Sequence, residues 1–372
     1  MFTCGSLLRR TDVTVDVFDA APVPFGLVRY GVAPDHQEVK NCIHGFDKMF
    51  ETNRSDAGNV LSGSDFVSWY NGVPNSSTPH LNTSNVVIIG NGNVALDCAR
   101  IISNGTNQGL RSTDIPGNCL DALEQSSVKQ ISVVGRRGPL DISFTVKELR
   151  EQFKVPNWST ISKISKEQLD EINALLPGMP RRKSRLMKVL LDGVHESSAD
   201  RICQFLFNRV PESIVKDSNG RVSSLRVLNM TNNSIEELEC GLLIYSIGYE
   251  TIVLDGVPKN EKGMIDMLDS CRVKMPSTEG ASVYAVGWCA HGPKGVIVDT
   301  QQQSSLVAEE MVKDLSAKNT SNDGIKNILE SRKIPFINWD RWKMIDQEEQ
   351  ESGHQKGKIR EKVMKFDKYI TP

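Results

Sequence analysis

Gly90, Gly92 and Ala95 follow the β-branched run Val86-Val-Ile-Ile89 and open the helix-forming stretch that continues to Arg100. Strand, glycine turn and helix in that order make the G-x-G-x-x-G/A turn of a dinucleotide-binding βαβ unit. Each position has its own reason. Gly90 permits the tight turn, Gly92 lets backbone come close to a pyrophosphate, and the small Ala95 lets the helix sit near the strand. The helix N-terminus offers unpaired N–H groups to the anion. Glycine turns between strand and helix are also common scaffolding in α/β proteins, so the motif alone leaves a purely structural reading open.

The second strand narrows the choice. Gln130-Ile-Ser-Val-Val-Gly-Arg-Arg137 is an apolar run that ends in two arginines, where an NAD-binding unit usually carries an acid for the ribose 2′-hydroxyl. Guanidinium forks suit a 2′-phosphate, which points to NADPH rather than NADH. A solvated basic turn is the plainer reading of Arg136 and Arg137. The gap between the two motifs exceeds the usual ~20 residues, because a segment rich in Asn, Gly, Thr and Ser, residues 103–116, intervenes.

Composition sets limits on partners and compartment. A chain of 372 residues with 39% hydrophobic and 24% charged residues has the make-up of a globular protein with room for two domains. A net charge of -2 exerts no global pull on nucleic acid or anionic membranes, so an electrostatic partner needs a local patch. No apolar run reaches the ~20 residues that span a bilayer. The eight cysteines are scattered, with no C-x-x-C pair and no spacing for zinc or iron–sulfur ligation, so no metal site is expected and a reducing compartment is. The opening ten residues carry two arginines and no acid but are too short to be identified as a transit peptide.

The elements that position these motifs follow from periodicity. Alternation over 12–18 predicts a strand ending at Asp19. Three prolines and two glycines predict an extended loop from 20 to 36. A helix is expected over 38–50, a polar linker over 74–84, a short helix over 144–153 and closing strands over 222–230 and 241–247. Strand, glycine turn and helix entry are expected over 283–297, followed by a long helix from 300 to about 315. Met179-Pro-Arg-Arg-Lys-Ser-Arg-Leu-Met-Lys188 concentrates five cations, which reads as a solvated helix start or as a steering patch for an acidic partner.

Several blocks together resemble the adrenodoxin reductase family of mitochondrial NADPH–ferredoxin reductases. They are Pro22 to His36, Gly90 to Asp97, Val134 to Leu140, Phe144 to Arg150, Ser246 to Tyr249, Gly287-Trp288 and Gly292 to Ile297. They stand in the family's order and cover nearly the whole chain. The resemblance implies an α/β protein with two Rossmann-like domains of the glutathione-reductase type. In such a protein NADPH reduces FAD, and single electrons pass to a [2Fe–2S] ferredoxin (adrenodoxin). It further implies a monomer in the mitochondrial matrix, with peripheral contact to the inner membrane and no nucleic-acid role.

Transferred residue by residue, Gly90, Asn91, Gly92, Asn93 and Val94 would line the NADPH pyrophosphate, Arg136 and Arg137 would hold the 2′-phosphate, and Glu148 would contact the same cofactor. Asp19 would meet the FAD ribose and Leu27 the flavin loop. Trp288, Gly295, Val296 and Ile297 would approach the isoalloxazine. Arg181, Arg182, Lys183 and Arg185 would dock ferredoxin. His36 and Asp97 match polar residues near the flavin, and they read either as a proton relay or as loop-fixing caps.

One departure accompanies the match. An FAD unit whose second strand ends at Asp19 needs a first strand and glycine turn about 20 residues earlier, yet Gly5 is the only glycine among the eighteen residues before it. The connection at 51–62 is also short for the family. The expected architecture is therefore an incomplete FAD domain, 1–65 and 249–372, into which an NADPH domain, 66–248, is inserted. Two functions follow: an NADPH–ferredoxin oxidoreductase, or a truncated NADPH-binding and ferredoxin-docking fragment with little turnover. The missing C-x-x-C argues against thioredoxin-reductase chemistry.

Overall fold

Four consecutive β-branched residues leave a strand no polar face to give to water, and Val86, Val87 and Ile88 are buried on both sides of a sheet. The computed structural model describes residues 2–11, 13, 15–19, 21–23, 27–34, 57–248, 253–275, 282–292, 297–315 and 324–370. In chain order the described elements begin with helix α1 (Phe2–Leu8), strand β1 (Val60–Ser62), helix α2 (Gly63–Tyr70), strand β2 (Asn85–Ile89), helix α3 (Asn93–Gly105), helix α4 (Gly117–Glu124) and strand β3 (Gln130–Val134). Helix α5 (Val146–Phe153), strand β4 (Ser159–Lys163), helix α6 (Lys166–Leu175), helix α7 (Arg181–Leu191) and strand β5 (Ile202–Leu206) follow. Next come strands β6 (Arg209–Lys216), β7 (Val222–Asn229), β8 (Ser234–Glu239) and β9 (Leu242–Tyr245). Helices α8 (Trp288–His291), α9 (Ile297–Asp314), α10 (Gly324–Ser331) and α11 (Trp339–Gln355) complete the described elements.

Six strands form one parallel sheet in the order β1-β9-β2-β3-β5-β4. The order reverses at β2: the chain runs outward to β3 and on to the edge strand β4, turns back to β5 between them, and later returns on the other side of β2 as β9. A reversal of this kind opens a crevice at the carboxyl ends of the strands, where α/β proteins bind ligands. Pleating divides the core. Val86 and Ile88 face a helical layer with Leu96, Ile101 and Ile102, whereas Val87 faces Val222, Leu225 and Val227 of a second sheet. That second sheet, β6-β7-β8, is antiparallel. Residues 222–229 thus form the centre of the covering layer, while 242–245 rejoin the parallel sheet; β7 buries five of its eight residues and β9 three of its four.

Two expected strands do not appear among the described residues. The described residues within 12–18 belong to no strand, and Val17 and Phe18 are more than half exposed. Alternation creates an apolar edge, but a strand exists only when a neighbour completes its hydrogen-bond ladder, and none flanks this segment among the described residues. Ahead of Gly287, Tyr284 makes a single bridge to Arg272 in place of a strand. The helix expected over 38–50 lies outside the described residues. The long helix expected from 300 is α9.

The C-terminal segment ties distant parts together. Arg29 and Glu349 form a buried, forked ion pair. The buried Lys362 ammonium donates to the carbonyls of Arg29 (3.0 Å) and Asn71 (3.1 Å) and pairs with Asp114 at 3.2 Å. No helix among the described residues is long and apolar enough to cross a membrane, and no group of metal-ligating side chains occurs among them.

Candidate nucleotide and partner site

The crevice is closed by backbone. Gly90 has φ +137°, and its N–H donates to the Val134 carbonyl at 2.9 Å. A Cβ there would run into the Ser246 carbonyl oxygen, which arrives at the end of β9. Ser246 itself donates its N–H to the Ile89 carbonyl at 2.6 Å. Two adjacent strand ends and a turn that only glycine can make therefore form the floor.

The start of α3 stands open above this floor. Gly92 is its N-cap, with no side-chain cap and open space beside its Cα. The first N–H groups of an α-helix lack intrahelical partners, so this terminus attracts an anion. The Asn91 amide lies against Gly135, and neither its nitrogen nor its oxygen finds a protein partner although both are shielded from water. A shielded amide without partners is costly, and a bound polar group would relieve that cost. Arg136 and Arg137, at the end of β3, are exposed, and neither side chain makes a hydrogen bond or ion pair among the described residues. Open helix terminus, unsatisfied amide and two uncommitted guanidiniums fit a phosphorylated dinucleotide.

A side wall is set by α5. The Asn91 carbonyl accepts from Ser143 N–H and the Asn93 Oδ1 from Thr145 N–H, both at 2.8 Å. Thr145 caps α5 through its hydroxyl, which accepts the Glu148 N–H at 3.2 Å. Asp97 and Glu148, expected in separate roles, are brought together by Arg100, which donates to them at 2.7 and 3.0 Å. Arg100 is only 1% exposed and was not among the candidates from sequence. An arginine at the eighth position of an amphipathic helix carries no signal of its own. Beside it, burial and then the Asp97 charge push the Cys98 thiol well above the usual thiol range.

The flavin side is described in part. Asp19 Oδ1 accepts from the Ala21 N–H at 2.9 Å. Leu27 opens a short π-helical turn, Leu27–Gly31. Trp288 begins α8 between Gly287 (φ +72°) and Gly292 (φ +77°) and is 37% exposed. Ile297 begins α9. His36, Gly295 and Val296 lie outside the described residues.

Between α5 and α7 lies a basic cleft of about 820 Å³. Arg181, Arg182 and Arg185 line it from α7, and Lys147, Arg150 and Lys154 line it from α5, against the single carboxylate of Glu151. Lys183 is exposed on the same helix turn but does not line the cleft. The α5 cations were missed by sequence reasoning, although their i, i+3, i+7 spacing puts them on one face. Three cations crowd the first turn of α7, which holds no acid. There they add to the positive end of the helix dipole instead of offsetting it, which raises the local positive potential.

No family model matches the chain. Among curated proteins, it is 33% identical to the NADPH:adrenodoxin oxidoreductase, mitochondrial, of Salvelinus fontinalis over 98% of this chain and 86% of that protein. The Homo sapiens protein of the same name is 32% identical over 98% of this chain and 87% of its own length. The Arabidopsis thaliana protein is 30% identical over 100% and 92%. The Salvelinus alignment runs over 443 positions against 372 residues here, so that relative carries segments within the match that this chain lacks. Among solved structures, a variant of FprA from Mycobacterium tuberculosis superposes with TM-score 0.83 at 26% identity, over 98% of this chain and 94% of the other. FprA in complex with NADPH superposes at 0.79 and 26% identity over the same shares. The crevice at the β2–β9 reversal, the arginine pair above it and similarity along almost the whole chain agree: this chain belongs to the NADPH:adrenodoxin oxidoreductase family.

Proposed function

We propose that the chain takes a hydride from NADPH and delivers electrons through FAD to a [2Fe–2S] ferredoxin. The observation that carries this reading is that one helix, α5, both walls an open anion site and lines a basic cleft. The N–H groups of Gly92, Asn93 and Val94, with the Asn91 amide, would receive the pyrophosphate. Arg136 and Arg137 would grip the 2′-phosphate through charge-assisted bonds. Glu148 would meet the same cofactor from α5. The cleft between α5 and α7 would steer an acidic ferredoxin, with an association rate that falls as salt rises.

FAD, when bound, supplies the conversion of a two-electron hydride into single electrons. Trp288 and the start of α9 would form the wall beside its ring system, and Asp19 would meet its ribose. For its diphosphate, the described residues offer no second open glycine turn between strand and helix, since α2, which follows β1 at Gly63, is capped by the Ser62 side chain. The described residues of 13–19, which join no strand and leave Val17 and Phe18 exposed, support a second reading: a fragment that binds NADPH and docks ferredoxin with little turnover. We place the protein in the mitochondrial matrix as a monomer, peripheral to the inner membrane.

Purified protein supplied with FAD, NADPH and a [2Fe–2S] ferredoxin is expected to reduce cytochrome c in a ferredoxin-dependent reaction. NADPH binding without that turnover would leave the fragment reading standing.

A further inference from the structure

We propose that Arg100 is a positioning residue, which fixes the Glu148 carboxylate beside the nucleotide crevice by locking α5 onto α3. The proposal rests on the reading of that crevice as an NADPH site.

Arg100 lies two turns into the helix whose N-terminus forms the site, and its side chain is 2% exposed. Burying a guanidinium brings a desolvation penalty that an apolar residue of similar volume would avoid, so the cation's contribution here is geometric rather than stabilising. Its planar fork is used fully. One terminal nitrogen holds Asp97 on α3 at 2.7 Å and the other holds Glu148 on α5 at 3.0 Å, while Nε stands 3.9 Å from Glu151 one turn further along α5. A lysine ammonium cannot grip carboxylates of two helices in a fixed plane.

The local chemistry of α5 shows what the fork overrides. Thr145-Val-Lys-Glu148 is a capping-box sequence, in which the glutamate ordinarily turns back to the N-cap N–H. Here the Thr145 N–H is taken by Asn93 Oδ1, and the Glu148 carboxylate meets Arg100. The first turn of α5 is thus joined to α3 at Asn93 and again at Arg100. The second joint decides where the carboxylate lies.

The test is NADPH and NADH titration of R100K, E148Q and the double variant, with thermal melting of each. R100K keeps the charge and loses the fork. It is expected to raise the NADPH Kd about five- to tenfold, to leave the KM for ferredoxin unchanged, and to bind no more weakly when combined with E148Q than E148Q alone. Full NADPH affinity in folded R100K, or losses that multiply in the double variant, would overturn the proposal. Should R100K fail to fold, E148D serves. It keeps both charges but shortens the reach by a methylene, with the same loss expected, and unchanged affinity would overturn the proposal equally. A wild-type chain that does not bind NADPH at all would instead refute the nucleotide reading, and this proposal with it.

Discussion

Replacing Arg136 and Arg137 together by alanine is expected to weaken NADPH binding by about two orders of magnitude and to leave NADH within a factor of about three. The size of the effect follows from the surroundings of the two side chains. Both are exposed and neither is engaged by the protein, so the substitution breaks no internal bond and leaves no buried partner stranded. A hydrogen bond to a charged group contributes about 1.5–3 kcal/mol, and solvent access puts these two at the lower end. Two such contacts give about 3 kcal/mol, and each 1.4 kcal/mol is about tenfold in Kd. NADH has no 2′-phosphate and has nothing to lose. Titration at fixed ionic strength would measure both constants, and the melting temperature should stay within about 1 °C because no native contact is removed. Equal losses for the two nucleotides, or unchanged NADPH affinity, would refute the assignment of this pair to the 2′-phosphate.

Three other outcomes are expected. Charge reversal in R181E/R185E, and separately in R150E, should raise the KM for ferredoxin and flatten its salt dependence without altering NADPH affinity; salt-independent, unchanged ferredoxin kinetics would move docking elsewhere. The chain should bind NADPH more tightly than FAD, since the described residues supply one open pyrophosphate turn, and tight stoichiometric quenching of flavin fluorescence on titration would contradict this. The third concerns Glu349, whose carboxyl is pushed up by burial but held below the usual range by the Arg29 fork, the Val363 N–H and Arg360, which together outweigh it. A depressed folded pKa means that its contribution is complete above the unfolded value of about 4.3 and fades as pH falls through the folded one. E349Q should therefore lose about 3 kcal/mol at pH 7 by stranding buried Arg29 and should lose part of the wild type's acid slope; parallel stability curves in denaturant at pH 7 and pH 3 would show the reasoning to be wrong.

What could be read in the sequence was local. The run Val86 to Ile89, the glycines at 90 and 92 and the helix beyond them are contiguous, and each step depends on residues a few positions apart. The arginine pair after Gly135 was legible for the same reason, because a strand end fixes where the next two side chains emerge. So was the basic run from Arg181, as composition, though not the cleft it helps to line. Periodicity reports which face is apolar but not what will cover it. Alternation over 12–18 could not reveal that no strand among the described residues would lie alongside, nor could β7 declare itself part of a second sheet. Only packing brought Arg100 to Glu148 across 48 positions, and Arg29 to Glu349 across 320. Packing also set the Ser246 carbonyl against Gly90, so that a turn merely permitted by its local sequence became one that admits no side chain. Such contacts depend on the order in which strands join the sheet, and that order is fixed by burial summed over the whole chain rather than by any single segment.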